Sequence, residues 1–509
     1  MFNKLAIIAS ILWMFGCTSA ADDGGGDLYG GQNEPGTGDG DGGDDGGPST
    51  DTPPADEPLP TPLRTISVDN VPALREAVAT AEPGDLIELR DQVWQLATGV
   101  AITRSGTAEH PIVISAETVG GARIEGAAGF LPSGVSHVVI RGFDFRFSAG
   151  ARAMPCKDCS YVRFTRNHFE LAPIEYSHWL VIGGVSDHNR IDRNVFMNKS
   201  TNGNFITIDG TSTAVATNNL IELNYFANQT WGGTNEGECI RVGWSGLKFS
   251  KGYNLIERNL FEHCDGDPEV VSVKSSNNQI RFNTFRSNDG SLVFRHGHES
   301  EAVGNFFFDN NGGIRVYGDD HRILNNYFDS NRGTGSRTPI VIGSGTALDD
   351  TPTSSSGYDA SERDVIAFNT LVNNASQIVI GTSSSDAIGA IDCTIADNLL
   401  VGEGTFAHAV RPFSGFTWSA NLLSGTASSG EFPQTGAIRT QDPKLVTSGG
   451  LMHLASDSPA RDAAVGSYVS DDIDGSPRTD SFDIGADEYS AEPITRRPLL
   501  PGDVGPAAP

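Results

Sequence analysis

A short motif that combines one polar and one large apolar residue recurs along the chain. Asparagine, any residue and then phenylalanine or leucine recurs in a spaced series of ten, which ends in Phe seven times and in Leu three times. The asparagines of this motif are Asn167, Asn194, Asn224, Asn259, Asn283, Asn305, Asn326, Asn369, Asn398 and Asn421. The central spacings are 24, 22 and 21 residues, and the outer ones are longer, as expected of solenoid turns with loop insertions.

Short strand-like apolar segments lie between the motifs, for example at 138–140, 292–294 and 314–316, and helical periodicity is nearly absent apart from 71–81. This pattern predicts an all-β chain folded as a parallel β-helix, whose successive turns stack about 4.8 Å apart. The asparagines would form a ladder at one corner, the phenylalanines would stack inside, and a short helix at 72–81 would cap the N-terminal end. A β-sandwich array or a propeller is the alternative, but propeller blades need about 40–50 residues.

The first 62 residues differ in composition from the rest of the chain. Residues 1–17 place Lys4 before a short apolar run that ends at Cys17 and resembles a bacterial lipoprotein signal. Lipidation of Cys17 would hold the protein on a membrane of the bacterial cell envelope, at the outer membrane or cell surface. Ordinary cleavage near Ala20 or Ala21, followed by secretion, is the alternative. Residues 18–62 predict a disordered acidic tether, and residues 63–509 predict a single β-helix domain.

Charge and chain length exclude some classes of protein. The chain has 509 residues and a formal net charge of −29, and residues 21–60 hold eleven acidic and no basic residues. The remainder therefore carries about −18, which is ordinary for an acidic globular surface. A general nucleic-acid binder would need a basic face, so that class is disfavoured. No protein partner can be read from the sequence.

Five cysteines remain after the proposed signal, and an odd number cannot all pair within one chain. Cys156 and Cys159 form a lone CxxC pair, which is a weak zinc signal and equally fits a local disulfide or two thiols. Cys239 and Cys264 are 25 residues apart, so they are expected on neighbouring coils. The pairing of these four residues and of Cys393 stays open.

Three cations recur at the spacing of one coil. Lys274, Arg295 and Arg315 are separated by 21 and 20 residues, and each follows an apolar residue of a predicted strand. Alternation would place the cations outward, stacked on one face. Stacked like charges are unfavourable in a purely structural sheet, so the spacing predicts a groove for a polyanion. The alternative is a set of solvated surface residues with compensating acids.

Oxygen-bearing side chains lie beside these cations: Asn235, Glu236, Glu238, Asp267 and Glu269. Oxygen ligands of this kind suit a hard cation such as Ca²⁺. Strict alternation from Val271 would point Glu269 into the core, so the strand must bend near 268–270 if Glu269 is to face the groove. The alternative is that the acids only balance the cations.

The segments Ser-Val-Lys-Ser (272–275), Arg-His-Gly (295–297), Gly-Gly-Ile-Arg-Val (312–316) and Asn-Asn-Tyr-Phe (325–328) resemble polysaccharide lyase family 6. That family contains alginate lyases and the dermatan-cleaving chondroitinase B on a right-handed parallel β-helix. The resemblance covers about residues 64–506, and the block 267–328 is its specific part.

The resemblance implies catalytic roles and a cofactor. Lys274 would be the general base, and Arg295 would be the general acid or a proton relay. Calcium would be held by Asn235, Asp267 and Glu269, with Glu238 as a possible extra ligand. Position 267 departs from the family, which more often has Glu there, so the carboxylate is one methylene shorter. The residues that would bind the sugar are His296, Arg315, Tyr317 and the weaker candidate Arg241.

The expected reaction is β-elimination on a uronate-containing glycan, most simply alginate, because most of the family acts on it. A base would remove the weakly acidic C5 proton while Ca²⁺ or Arg neutralises the adjacent carboxylate. A dermatan or chondroitin sulfate lyase is the second interpretation, and a non-catalytic module that binds polyanionic glycans is a third. Residues 332–364 and 176–187 are expected to wall the groove.

Overall fold

The computed structural model describes residues 59–346, 357–433 and 438–509, and these form a parallel β-helix. The predicted fold class is thus confirmed. The proposed signal at 1–17 with Cys17, and the proposed tether except for its last four residues, lie outside the described residues. Within the described ranges, no helix is long and apolar enough to cross a membrane.

Three long parallel sheets run along the solenoid, and most coils contribute one strand to each sheet. Sheet 1 has 14 strands: Arg64–Val68, Asp85–Leu89, Ile112–Ala116, Val138–Arg141, Arg163–Thr165, Arg190–Asp192, Leu220–Glu222, Leu255–Glu257, Gln279–Arg281, Glu301–Val303, Arg322–Leu324, Val365–Ala367, Thr394–Ala396 and Thr417–Ser419. Sheet 2 has 14 strands: Val93–Leu96, Arg123–Gly126, Asp144–Phe145, His168–Phe169, Val195–Lys199, Tyr225–Gln229, Leu260–Cys264, Thr284–Arg286, Phe306–Phe308, Tyr327–Asp329, Thr370–Asn374, Leu399–Gly402, Leu422–Gly425 and Arg439–Thr440. Sheet 3 has 11 strands: Arg152–Lys157, His178–Gly183, Ile206–Ile208, Ile240–Val242, Glu269–Val273, Ser291–Phe294, Ile314–Val316, Ile340–Ile342, Ile378–Ile380, Thr405–Ala409 and Ser428–Gly430.

A few elements lie outside these sheets. Val100–Ile102 pairs in parallel with Phe130–Pro132, and Leu445–Ser448 forms an antiparallel hairpin with Leu451–Leu454. Three short 3₁₀ turns span Ser245–Leu247, Gly335–Arg337 and Pro501–Asp503.

The predicted N-terminal helix is present at Val71–Ala79. Asn70 caps it, since its side-chain oxygen accepts a hydrogen bond from the amide of Ala73 at 3.0 Å. Proline at the second helical position lacks the N–H that would have no hydrogen-bond partner in the first turn. One helical face buries Leu74 and Val78 in the main core, beside the first strands of the solenoid.

The recurring asparagines form the predicted ladder at the corner between sheets 1 and 2. Each side-chain amide donates to the side-chain oxygen of the next asparagine along the solenoid, at 2.9–3.0 Å from Asn167 to Asn421. The phenylalanines stack inside, with ring centroids 4.5–5.3 Å apart from Phe169 to Phe328. A second asparagine ladder, which the motif did not reveal, runs from Asn189 to Asn278.

A histidine pairs with two carboxylates in the C-terminal part of the fold. Nδ1 of His453 lies 2.9 Å from Asp487 and 3.2 Å from Asp474, and Nε2 lies 3.1 Å from the carbonyl of Ser448. Both ring nitrogens face acceptors, so the charged imidazolium is favoured. Hydrogen bonds to Asp474 and Asp487 raise the pKa of His453 to about 10.

This histidine predicts a loss of stability at alkaline pH. Its unfolded pKa is near 6.5, so its contribution is complete below that pH and disappears as the pH rises towards 10. After allowance for solvent screening we expect His453→Gln to lower the free energy of unfolding by roughly 2 kcal/mol at pH 6, and by much less at pH 10. Urea unfolding of both proteins at the two pH values measures this difference. An equal loss at both pH values would contradict the assignment. Burial raises the pKa of nearby Asp472 to about 7, but this group is present in both proteins and cancels in the comparison.

Candidate functional site

The predicted cations face outward from sheet 3 but form two rows instead of one. Val273, Phe294 and Val316 are paired across three coils. Lys274 follows Val273 and Arg295 follows Phe294, so these two cations are neighbours. Arg315 instead pairs with Val293, one position earlier in the strand. The prediction of a single stack is wrong at Arg315, because sequence spacing does not reveal where a strand begins within its coil.

Arg315 belongs to a row of outward positions with Val293, Ser272 and Arg241, while Tyr317 takes the position next to Arg295. Leu292 and Phe294, on either side of Val293, point into the main core. Strand alternation thus accounts for the direction of the cations, as the sequence predicted.

Glu269 reaches the same face through a bulge in its strand. The pairing of Glu269–Val273 with Ser291–Phe294 shifts between Glu269 and Val271, so that one extra residue, Val270, is accommodated. Val270 and Val271 both enter the core. A bulge changes the direction of the side chains before it, so the bend predicted near 268–270 is confirmed.

Two arginines converge on Glu269. Its Oε1 lies 3.4 Å from Nη1 of Arg295 and 3.2 Å from Nη2 of Arg315. Burial alone would raise the pKa of Glu269, but Arg295 and Arg315 lower it overall, so the group stays ionised. Burial opposes the charge on Arg295 as well, but Glu269 more than compensates and raises the pKa of Arg295. The centre of the site is therefore a buried carboxylate between two permanent cations.

Lys274 is the cation of this site whose pKa is lowered. It is 8% exposed, and its Nζ lies 3.9 Å from Oε1 of Glu238. Burial lowers the pKa of Lys274, Arg295 and Arg241 lower it further, and Glu238 acts in the opposite direction. A lysine whose pKa falls towards the working pH has a larger neutral fraction, and the neutral amine is the form that accepts a proton.

The predicted metal ligands are only partly assembled. Asp267 and Glu238 are buried close to Glu269, and burial together with repulsion from these two carboxylates raises the pKa of Asp267 to about 8. Oε2 of Glu269 is buried and has no hydrogen-bond partner among the described residues. Asn235 lies in an exposed loop, and its side chain makes no hydrogen bond within the described ranges. Repelling carboxylates with a spare oxygen fit a hard divalent cation.

The spacing of these carboxylates is wider than that of a closed site. Two other groups among the described residues bring three ligand atoms within 4.8 Å of one another, and the group of Glu238, Asp267 and Glu269 is not one of them. Calcium therefore stays a prediction that rests on Asp267, Glu269 and Glu238, and the exposed position of Asn235 adds nothing to it.

An aromatic residue from the predicted wall covers the site. The ring of Tyr358 stacks on Tyr317 at 4.5 Å and lies 6.0 Å from His296, with the guanidinium of Arg295 at 5.7 Å. Tyr317 and His296 are only 5% exposed, so Tyr358 separates them from solvent. Burial and then Arg295 lower the pKa of His296 to about 3, so this histidine is neutral.

Sequence reasoning missed Tyr358 as an individual residue. It follows a Ser-rich stretch in the insertion 332–364, and an aromatic residue in such a stretch was a usable signal. The second predicted wall, residues 176–187, is mostly not a loop, because residues 178–183 form a regular strand of sheet 3.

Arg241 is also part of this face, with a partner that the sequence did not indicate. Its Nη2 donates to Asp209 at 3.0 Å, and Asp209 also pairs with Arg152. The side-chain amide of Asn204 donates to the carboxylate of Glu238 at 2.7 Å, and the backbone N–H of Asn204 donates to Nδ1 of His178. These contacts hold Arg241 and Glu238 in place at the start of the row that leads to Arg315.

The arrangement combines buried cations with one deprotonatable lysine on an outward face. The Nε atoms of Arg241, Arg295 and Arg315, and Nδ1 of His296, have no hydrogen-bond partner among the described residues. The guanidinium groups of these three arginines are of the kind that binds the carboxylates of an anionic polymer. A base beside such donors can remove a proton next to a bound carboxylate.

Comparisons with known proteins bear on the family and on the fold. The family model for chondroitinase B matches residues 68–394. No curated protein matches the sequence. A variant of AlyGC, an alginate lyase of polysaccharide lyase family 6, is similar in structure with a TM-score of 0.69 and 25% identity, over 77% of this chain and 55% of that one.

Two further solved structures share the fold. A mannuronic acid-specific family 6 lyase from the human gut microbiota aligns with a TM-score of 0.64 and 24% identity, over 73% of this chain and 89% of that one. A family 6 alginate lyase in complex with a trisaccharide aligns with a TM-score of 0.65 and 21% identity, over 78% and 92%. The chain spans little more than half the length of the AlyGC chain.

Proposed function

Because the chain belongs to the chondroitinase B family within polysaccharide lyase family 6, we propose that it cleaves a uronate-containing glycan, most simply alginate, by β-elimination. The observation that carries the proposal is the buried Lys274, whose pKa is lowered beside Arg295. Binding alone would need cations but would not need one of them to lose its proton. Alginate is preferred because similar solved structures are those of alginate lyases.

The proposed reaction begins with the neutral amine of Lys274. The amine takes the C5 proton, the electron pair of the C5–H bond forms the C4=C5 double bond, and the bond from C4 to the glycosidic oxygen breaks. The leaving oxygen takes up one proton and the ammonium of Lys274 releases the one that it removed, so the amine is regenerated and no water is consumed. Glycoside hydrolysis instead needs two carboxyl groups flanking the bond, which the pairing of Glu269 with two arginines does not provide.

The arginines neutralise the charge that develops during the proton transfer. Arg295 and Arg315 present guanidinium groups beside Glu269, and a uronate carboxylate bound there would share them. The raised pKa of Arg295 favours charge stabilisation over proton donation, so we assign that role to it in place of the general acid. A calcium ion held by Asp267, Glu269 and Glu238 would supply further neutralisation of the same carboxylate.

A dermatan or chondroitin sulfate lyase is the second candidate, and the matched family model favours it. Ultraviolet absorbance of the C4=C5 product with each polymer distinguishes the two. Absorbance that rises with alginate supports the proposal, and a rise with dermatan sulfate alone keeps the mechanism but changes the substrate. If the folded protein acts on neither polymer yet binds one, the module that only binds glycans replaces both. Activity lost with a chelator and restored by Ca²⁺ would add the metal, and activity that a chelator leaves unchanged would exclude it.

Tyr358 provides a prediction about substrate binding. Its ring covers Tyr317 and His296 beside Arg295, where it can stack against a sugar. We expect Tyr358→Ala to lower kcat/KM about 10-fold, mainly through KM, because a lost contact of roughly 1.4 kcal/mol corresponds to that factor. Tyr358→Phe keeps the ring and should retain nearly full activity. If Tyr358→Phe instead loses as much as Tyr358→Ala, the hydroxyl group takes part and the stacking role is wrong.

A further inference from the structure

Cys239 and Cys264 lie side by side between neighbouring coils. Cys264 ends a strand of sheet 2, and Cys239 immediately precedes the strand Ile240–Val242 of sheet 3. Their Sγ atoms are 2.6 Å apart, and both residues are almost completely buried. The sequence placed these residues on neighbouring coils, and the structure brings their side chains into direct contact.

The remaining cysteines provide a contrast. The Sγ of Cys393 lies near backbone carbonyls, 3.4 Å from that of Ile391 and 3.9 Å from that of Ser361, and it contacts no other sulfur among the described residues. The Sγ of Cys159 points at the carbonyls of Pro132 and Lys157, and the Cys159 side chain also interacts with Cys156, which lies three residues earlier in the same coil. Contact between the sulfurs of two coils therefore distinguishes Cys239 and Cys264 from Cys393.

We propose that Cys239 and Cys264 form a disulfide when the chain folds in an oxidising compartment. Two thiols lose two protons and two electrons to form one S–S bond, and the electrons reduce the disulfide of an exchange partner to two thiols. Disulfides persist in exported proteins, and the leader-like residues 1–17 are consistent with export. Because both sulfurs are buried in the folded chain, the exchange precedes the stacking of these coils.

The bond would brace the acidic end of the candidate site. Glu238 directly precedes Cys239, and Asp267 follows Cys264 by three residues. The carboxylates of Glu238 and Asp267 are both buried at this end of the site, where like charges repel one another. A covalent link between the segments holds the repelling groups together regardless of which glycan the site binds, so the proposal is independent of the proposed function.

Peptide mapping of the full chain, exported from cells with its own leader, tests the disulfide directly. Thiols are blocked with N-ethylmaleimide in denaturant without reductant, and the digest is analysed by mass spectrometry. We expect the peptides of Cys239 and Cys264 to be joined and unlabelled, and both to be labelled after reduction. Cys393→Ser is the matched control and should leave the joined peptides unchanged. Labelling of both thiols without reduction, or a bond from Cys239 to any other cysteine, would overturn the proposal.

Thermal unfolding provides a second measurement that does not depend on mapping. Closing the loop between Cys239 and Cys264 restricts the unfolded chain. Wild-type protein produced without reductant should therefore have a Tm roughly 5 °C above that of wild-type protein produced with reductant. The double variant Cys239→Ala/Cys264→Ala should show no such difference between the two preparations. The same difference in the double variant would assign the effect to another pair, such as Cys156 and Cys159, and would contradict the proposal.

Discussion

Replacing Lys274 with alanine is expected to lower kcat/KM on the cleaved polymer by about 10³-fold or more, since general base catalysis contributes about 10²–10⁴. The amine is buried and its pKa is lowered by burial and by neighbouring arginines, which is the environment of a base. Lys274→Arg should be equally inactive, because a guanidinium does not release its proton near neutral pH. The measurement is the initial rate of ultraviolet absorbance, together with binding of the polymer to each variant.

Lys157 offers a matched control for this experiment. It also ends a strand of sheet 3, four coils before the strand that leads to Lys274, but it is exposed. We expect Lys157→Ala to retain wild-type activity. Binding by Lys274→Arg should stay close to that of wild type, because the positive charge is kept. Lyase activity that survives in folded Lys274→Ala would exclude this residue as the base, and His296, the neutral imidazole of the site, would need to be tested instead.

Replacing Asn283 with alanine is expected to destabilise the solenoid by about 3–5 kcal/mol, the largest effect predicted on stability. Its side-chain amide donates to the side chain of Asn305 at 3.0 Å and to the carbonyl of Ile256 at 2.9 Å. Its side-chain oxygen accepts from the backbone and side-chain amides of Asn259 at 2.9 and 3.0 Å. All of these groups are buried, so alanine would leave several of them without partners, and urea unfolding measures the cost.

Asn311→Ala is the matched control for the ladder. The side chain of Asn311 donates to the carboxylate of Asp289 near the surface, outside the ladder. We expect a change within about 0.5 kcal/mol. A loss at Asn283 that is no larger than the loss at Asn311 would show that the ladder is a consequence of coil stacking and not a source of stability. A broad unfolding transition in Asn283→Ala would show instead that the coils on its two sides unfold separately.

The architecture could be predicted from the sequence because its stabilising contacts recur with each coil. The asparagine at one corner of a coil and the aromatic residue two positions later contact their own counterparts one coil away, so the repeat along the chain is also the repeat in space. The same regularity identified the outward cations on sheet 3 and the need for a bend before Val271. The N-terminal helix followed from its own local periodicity, and the structure adds its cap at Asn70.

What depends on the alignment of different coils became visible only in the tertiary structure. The pairing register places Arg315 beside Val293 and gives the position beside Arg295 to Tyr317. The convergence of Arg295 and Arg315 on Glu269 needs both that register and the bulge. Tyr358 reaches the site from an insertion whose path no repeat specifies. The sequence by itself therefore determined the solenoid and the kinds of groups on the outward face of sheet 3. Their pKa values, pairs and covering were decided by the tertiary structure, because those properties depend on distances of a few ångströms between coils and on burial.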